Sequence, residues 1–324
     1  MLLNEQIKNN KIKEETIKIN IKYVQEYIIT MITTTKCEQQ QQIIDFIFTL
    51  MEKYRIEERE MKVNIDYCKI MIILSNLFNE IIDQIEETTV WRSIFNLMNS
   101  TSDIRLLIGL DCLHLLFENK NNYSKIITNN ITGIINRIYN CISVYMTNNV
   151  ELINKSMTIL IKIIPYLNSN NIESILQAIT NINNKTIIIT VNTFHNIHKF
   201  MTILLRDKSF EATKYAHTYL TIVRGLLYQL TCIIASSNES QESIIICSKN
   251  LSRLFEDISN SNHYHFKIYF VYLILDFVLF LENSIIPPYV LATLQTGIFI
   301  ILSKSSLKEY PFIIHLYMFY LHFS

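Results

Sequence analysis

Glycine and proline are almost absent, with four of each in 324 residues. Four scattered glycines cannot build a G-x-x-x-x-G-K phosphate loop or a G-x-G-x-x-G turn, because each needs closely spaced residues that lack a Cβ. Charge is sparse as well: 18% of residues carry one, and 29 Lys and Arg balance 29 Asp and Glu. A chain without basic excess does not fit a dedicated nucleic-acid domain, which neutralises phosphates with Lys and Arg. No C-x-x-C pair occurs. The six cysteines, Cys37, Cys68, Cys112, Cys141, Cys232 and Cys247, lie far apart, several inside apolar runs such as the "IIIC" that ends at Cys247. An even count permits disulfides, but without a signal peptide the expectation is buried free thiols. The opening "MLLNEQIKNNKIKEETIKIN" alternates charge with single Ile residues and has no apolar core, so it does not read as a secretory signal. Cytosol or nucleus is the default compartment.

What the chain has in quantity is apolar surface, at 49% of residues, enough to bury a sizeable core. The bias toward Ile, Asn, Lys and Tyr resembles A+T-rich coding. Asn-rich tracts and the "QQQQ" of 39–42 are therefore expected to be compositional drift. Two apolar runs near the C-terminus, 268–281 and 285–302, raise the question of a membrane. The first is short of the roughly 20 residues a span needs and carries Asp276. The second contains Pro287, Pro288 and Gln295, and no Lys/Arg cluster flanks either run. Buried helices are the expected reading, with no membrane contact. In the second run Ser284 can cap a helix and a proline can occupy its first turn, while Pro287 pushes Ile286 out of helical geometry.

The dominant period is helical. Over 209–235 apolar residues recur at Tyr215, Tyr219, Ile222/Val223, Leu226/Leu227, Leu230 and Ile233/Ile234, leaving Lys214, Arg224 and Gln229 for the opposite face. The segment 66–86 repeats the pattern. The best strand candidate, "TIIITV" at 186–191, also reads as a helix start. Short polar breaks occur at 118–122, 147–149, 168–171, 181–185, 236–242 and 259–262. Helix–break–helix units of this size predict an all-α fold, an irregular α-solenoid of the armadillo/HEAT-like kind, with a closed four-helix bundle as the alternative. Two regions are expected: an N-terminal helical region, 1–124, without motifs, and a C-terminal helical domain, 125–324.

Catalytic patterns are missing. His195 and His198 share a helix face at i, i+3 spacing. They have neither a third ligand nor an H-E-x-x-H context, so they read as structural or surface histidines. "HYH" at 263–265 reads as turn chemistry and Trp91 as a core anchor near a helix start. Aromatic residues crowd the C-terminal quarter, but Lys267 is the only cation between 254 and 303. Stacking on single-stranded RNA needs interleaved cations, so core packing or a docking surface for another protein is the better account. No cofactor, metal or enzymatic activity is expected.

The C-terminal residues carry a resemblance. "CSKNLSRLFEDIS" (247–259) followed by "FKIYFVYLILDFVLFLENSIIPPYVLATLQTGIFIIL" (266–302) is similar to the nucleolar pre-rRNA processing proteins of the "unhealthy ribosome biogenesis" family. Ser252, Arg253 and Leu254 stand for its first element and Asp276 with Phe277 for its second. Pro288, Val290, Leu294, Gly297, Ile298 and Phe299 fall at the spacing of its third. Leu316, Tyr317 and Tyr320 match its terminal Leu-Tyr-x-x-Tyr. Leu291, Thr296 and Ser303 depart from the pattern, which spans 247–324. Asp276 reads either as a buried, paired carboxylate or as a partly exposed one. Gly297 reads either as a close-approach point or as a tolerated helix glycine. The resemblance implies a non-enzymatic helical scaffold of the nucleolus, active in early large-subunit assembly. Its partners would be ribosome assembly factors, among them a DEAD-box RNA helicase, on a pre-ribosomal particle. Direct RNA contact is left open. Members are usually longer, so a short version of the family is expected. From another class, a generic armadillo- or HEAT-like cytoplasmic adaptor fits the same helical pattern.

Overall fold

The computed structural model describes residues 42, 44–49, 51–52, 55–56, 87–118, 120–145, 149–183, 188–207, 210–236, 239–260, 287–290 and 292–293. Every regular element among them is helical, so the fold class is all-α. The chain divides into two compact units, Met1–Ile131 and Thr132–Ser324. The segment 66–86, "HYH" and most of the apolar C-terminal runs lie outside the described residues.

In the first unit, helix α1 (Glu87–Met98) and helix α2 (Asp103–Glu118) form an antiparallel hairpin. α1 buries Val90, Ser93, Ile94, Leu97 and Met98, one face at helical spacing. Trp91 falls beside that face. It is half-buried and its ring lies 5.9 Å from that of Phe95, so the sequence expectation of a core anchor is corrected: Val90 and Ile94 hold the core position. The helices approach closely at Gly109, where a Cβ would meet Met98 Cγ at 2.9 Å and the Met98 nitrogen at 3.2 Å. Buried Arg55 reaches Asp111 on α2 at 3.4 Å.

Helix α3 (Lys120–Tyr145) begins two residues after α2 ends, so the described residues of the polar stretch 118–122 are helical. Next come α4 (Val150–Ile163), a 3-10 turn (Ile164–Tyr166) and α5 (Ser169–Ile179), which a second 3-10 turn (Thr180–Asn183) extends. Helices α6 (Val191–Arg206), α7 (Ala212–Ala235) and α8 (Gln241–Asn260) complete the series. The asparagines between them are more than compositional drift. Asn149 accepts from the Leu152 amide at 3.1 Å, and Asn168 and Asn171 form a reciprocal capping box. Each satisfies helix-start amides that would otherwise lack a partner. The strand candidate resolves as a helix start over its described part. Residues 188–190 are irregular, and Thr190 caps α6 through the Thr193 amide.

Alternate helices of the second unit are neighbours. α6 packs on α4 and on α8, and α7 packs on α5 and its 3-10 extension. α7 also touches α6 and α8. The predicted stripe of α7 is buried at Tyr215, Tyr219, Ile222, Val223, Leu226, Leu227, Leu230 and Ile233, while Lys214 and Arg224 are exposed. Gln229 is the exception. It is fully buried rather than solvent-facing, because its Oε1 accepts from the Ile189 amide at 3.1 Å and so satisfies the backbone just ahead of α6. Among the described residues α7 is the one helix long and apolar enough to cross a membrane. Its packing against α5, α6 and α8 accounts for that apolarity. The described cysteines Cys112, Cys141, Cys232 and Cys247 are free thiols. Burial, and secondarily Glu239, pushes that of Cys247 up to about 12.

Candidate functional site

Helix α8 carries the first motif element and has two occupied edges. On one edge the Ser252 hydroxyl donates to the Thr293 carbonyl at 3.0 Å. Thr293 is helical, and ahead of it Pro287 stands outside the helix and Pro288 opens it, as fixed proline φ and a missing N–H permit. Pro287 stands directly ahead of the helical residues, and Ser284, the cap expected from the sequence, lies outside the described residues. The Val290 amide donates to the Pro287 carbonyl at 2.9 Å, and the Val290 side chain is fully buried. Within the first element Leu254 is fully buried and Arg253 is exposed. The fold thus brings the first element and the start of the third together through Ser252 and Thr293. Asp276, Phe277, Leu294, Gly297, Ile298, Phe299, Leu316, Tyr317 and Tyr320 lie outside the described residues.

The other edge of α8 meets α6. Asn250 bonds His195 Nδ1 at 3.1 Å, and one further along Arg206 pairs with Asp257 at 2.6 Å. The two contacts advance in the same direction on both helices, so α6 and α8 run parallel. His198 is buried against this contact, with Thr202 Oγ1 3.5 Å from its Nε2. Burial, reinforced by the nearby charges of His195 and Arg253 and opposed by Asp257 and Asn250, lowers its pKa to about 4. The imidazole is therefore neutral near pH 7. The His195 and His198 rings lie 6.4 Å apart, and among the described residues no group of three or more His, Cys, Asp or Glu could hold a metal ion. Tyr219, reaching up from α7, donates to the Met201 carbonyl at 2.8 Å; burial, and secondarily Asp257, holds its phenol well above the ordinary range. These are packing contacts between helices.

Polar residues that the sequence reading did not single out tie the array together. Asn154 on α4 accepts from Thr193 Oγ1 at 3.0 Å and from Asn196 at 3.3 Å, both on α6. Gln229 could have been found from spacing alone, since it stands seven residues after Ile222, three after Leu226 and four before Ile233, on the buried stripe. Asn250, Thr293 and Asn154 gave no such signal, because each one's partner lies dozens of residues away.

With this geometry in place, the sequence of the second unit can be set against known families. Residues 150–312 match the Urb2/Npa2 family. The chain belongs to that family, a nucleolar 27S pre-rRNA processing family. The match starts at Val150, the first residue of α4, and so takes in α4 to α7, where the sequence showed no motif. It also contains Ser252, Arg253, Leu254, Pro288 and Val290, and ends ahead of Leu316, Tyr317 and Tyr320. Comparison with curated proteins and with solved structures finds no match. Membership of the Urb2/Npa2 family implies a role in ribosome biogenesis.

Proposed function

We propose that this chain is a non-enzymatic α-helical scaffold of the nucleolus that holds assembly factors together during 27S pre-rRNA processing. The family match over 150–312 carries the reading. The packing supports it: α6 on α4 and α8, with α7 on α5, is what an irregular armadillo- or HEAT-like solenoid would show. Such an array presents long helical surfaces to partners without needing a catalytic pocket. On this reading the partners are ribosome assembly factors, including a DEAD-box RNA helicase, on a pre-ribosomal particle. The division into an N-terminal region, 1–124, and a C-terminal domain, 125–324, belongs to the same proposal. So does the role of the motif residues, with Ser252, Leu254, Pro288 and Val290 holding the C-terminal segment in place and Arg253 facing outward.

Affinity purification of the tagged chain with mass spectrometry of co-purifying proteins tests this. Large-subunit assembly factors in the eluate, with nucleolar fluorescence of the same tagged chain, are the expected result. Diffuse cytoplasmic fluorescence with unrelated partners would replace the reading with that of a cytoplasmic adaptor.

A further inference from the structure

The outward face shared by α6 and α8 holds cations that the fold does not use. Lys199 on α6 and Lys249 and Arg253 on α8 are exposed, and among the described residues none of the three has a hydrogen bond or ion pair. Their placement follows from the His195–Asn250 contact. Lys249 directly precedes Asn250, Arg253 follows it by three residues, and Lys199 follows His195 by four, so all three lie within about one helical turn of that contact. The acids of these helices are differently disposed. Asp257 is paired with Arg206, Glu256 is half-buried, and Glu242, near the start of α8, is the exposed exception. A nearly neutral chain has thus assembled a local group of uncommitted positive charge around one of its motif residues. No large exposed aromatic side chain on α6 or α8 accompanies the group, so it offers charge without base stacking.

We infer that this face is a docking surface for the phosphate backbone of single-stranded RNA, contacted by Lys199, Lys249 and Arg253. The inference rests on the ribosome-biogenesis reading for its choice of RNA over an acidic protein segment. Recognition is independent of sequence, because phosphate contacts position a strand without reading its bases. It is also modest and salt-dependent, since each cation releases counterions on binding.

The test is fluorescence anisotropy of the purified full chain with a labelled oligouridine of about 15 nucleotides, titrated across salt concentrations. At roughly −0.7 per phosphate contact, three contacts contribute about −2 to the slope of log affinity against log salt. That amounts to about a twentyfold loss of affinity between 50 and 200 mM salt. The triple variant Lys199→Gln/Lys249→Gln/Arg253→Gln should lose that part of the slope. The charge-keeping variant Lys199→Arg/Lys249→Arg/Arg253→Lys should retain it, and both should melt like the parent because the side chains are exposed. Superimposable titrations for the parent and the glutamine variant would overturn the proposal, as would absence of RNA binding by the parent. Polyglutamate binding in place of RNA, lost in the glutamine variant, would overturn it in favour of an acidic protein partner. Capture of pre-ribosomal particles by the tagged chain tests the scaffold reading separately, so failure of one is distinguishable from failure of the other.

Discussion

Ser252 on α8 donates its hydroxyl proton to the backbone carbonyl of Thr293, 41 residues further along the chain, at 3.0 Å. The bond fastens the segment that follows Pro287 to the helix carrying Arg253 and Leu254, and beside it Val290 is fully buried. A hydroxyl at 252 is thereby given a job that a small apolar residue cannot do.

Ser252→Ala should lower stability by about 1 kcal/mol, the usual net worth of such a bond when its partner carbonyl is left without it. The more specific readout is hydrogen–deuterium exchange. The Val290 amide, which bonds Pro287, should exchange faster in the variant while amides in α4 are unchanged. Uniform exchange across both would show that Ser252 does not hold this segment.

Gln229→Leu keeps the size of the side chain and its apolar stem but removes the acceptor for the Ile189 amide. A buried orphaned N–H costs about 1–3 kcal/mol, more than the gain from a more apolar side chain. Denaturant unfolding should show a fall in midpoint with the m-value preserved. A rise in stability would mean that the Ile189 amide finds another partner.

This residue also shows what could be read in the sequence. Helices, their buried stripes and the positions of most breaks follow from apolar spacing, which is a local property. At Gln229 residue type misleads where spacing does not: its polarity points to solvent, while the backbone ahead of α6 needs an acceptor. At Trp91 size misleads in the opposite sense, since it points to the core while the register puts the side chain beside the buried face of α1. The contacts Ser252–Thr293, His195–Asn250 and Asn154–Thr193 join residues 39 to 55 positions apart, and no single-helix period carries that information. The asparagine breaks were discounted because their composition matched coding bias, yet bias supplied residues that capping chemistry could use.

His198 makes stability depend on pH. Its folded pKa, about 4, lies below the ordinary histidine value of about 6.5, so the unfolded chain binds the proton more readily between these limits. Stability should be full above pH 6.5 and fall as pH drops towards 4, by up to about 3 kcal/mol. The groups that bear on the ring are His195 on its own helix and Asn250, Arg253 and Asp257 on α8. Thermal melts at stepped pH should show this acid limb in the parent and a flatter one in His198→Phe. Parallel curves would place the titrating group elsewhere.

Gly109 lies in close contact with the end of α1, at Leu97 and Met98. Alanine there gains about 1 kcal/mol of helix propensity, but its Cβ would stand 3.2 Å from the Met98 backbone nitrogen, which cannot rotate away. Overpacking typically costs about 1–3 kcal/mol, so Gly109→Ala should be mildly destabilising and Gly109→Val clearly more so. Melting temperatures in the order Gly, Ala, Val, falling, would support the close approach; a stabilised alanine variant would show that the hairpin can open to admit a methyl group.

Whether this Urb2/Npa2 family chain acts in 27S pre-rRNA processing is tested most directly by depleting it and probing pre-rRNA intermediates by hybridisation. Levels of 27S species should change, with small-subunit intermediates little altered. An unaltered 27S pattern after complete depletion would contradict that role.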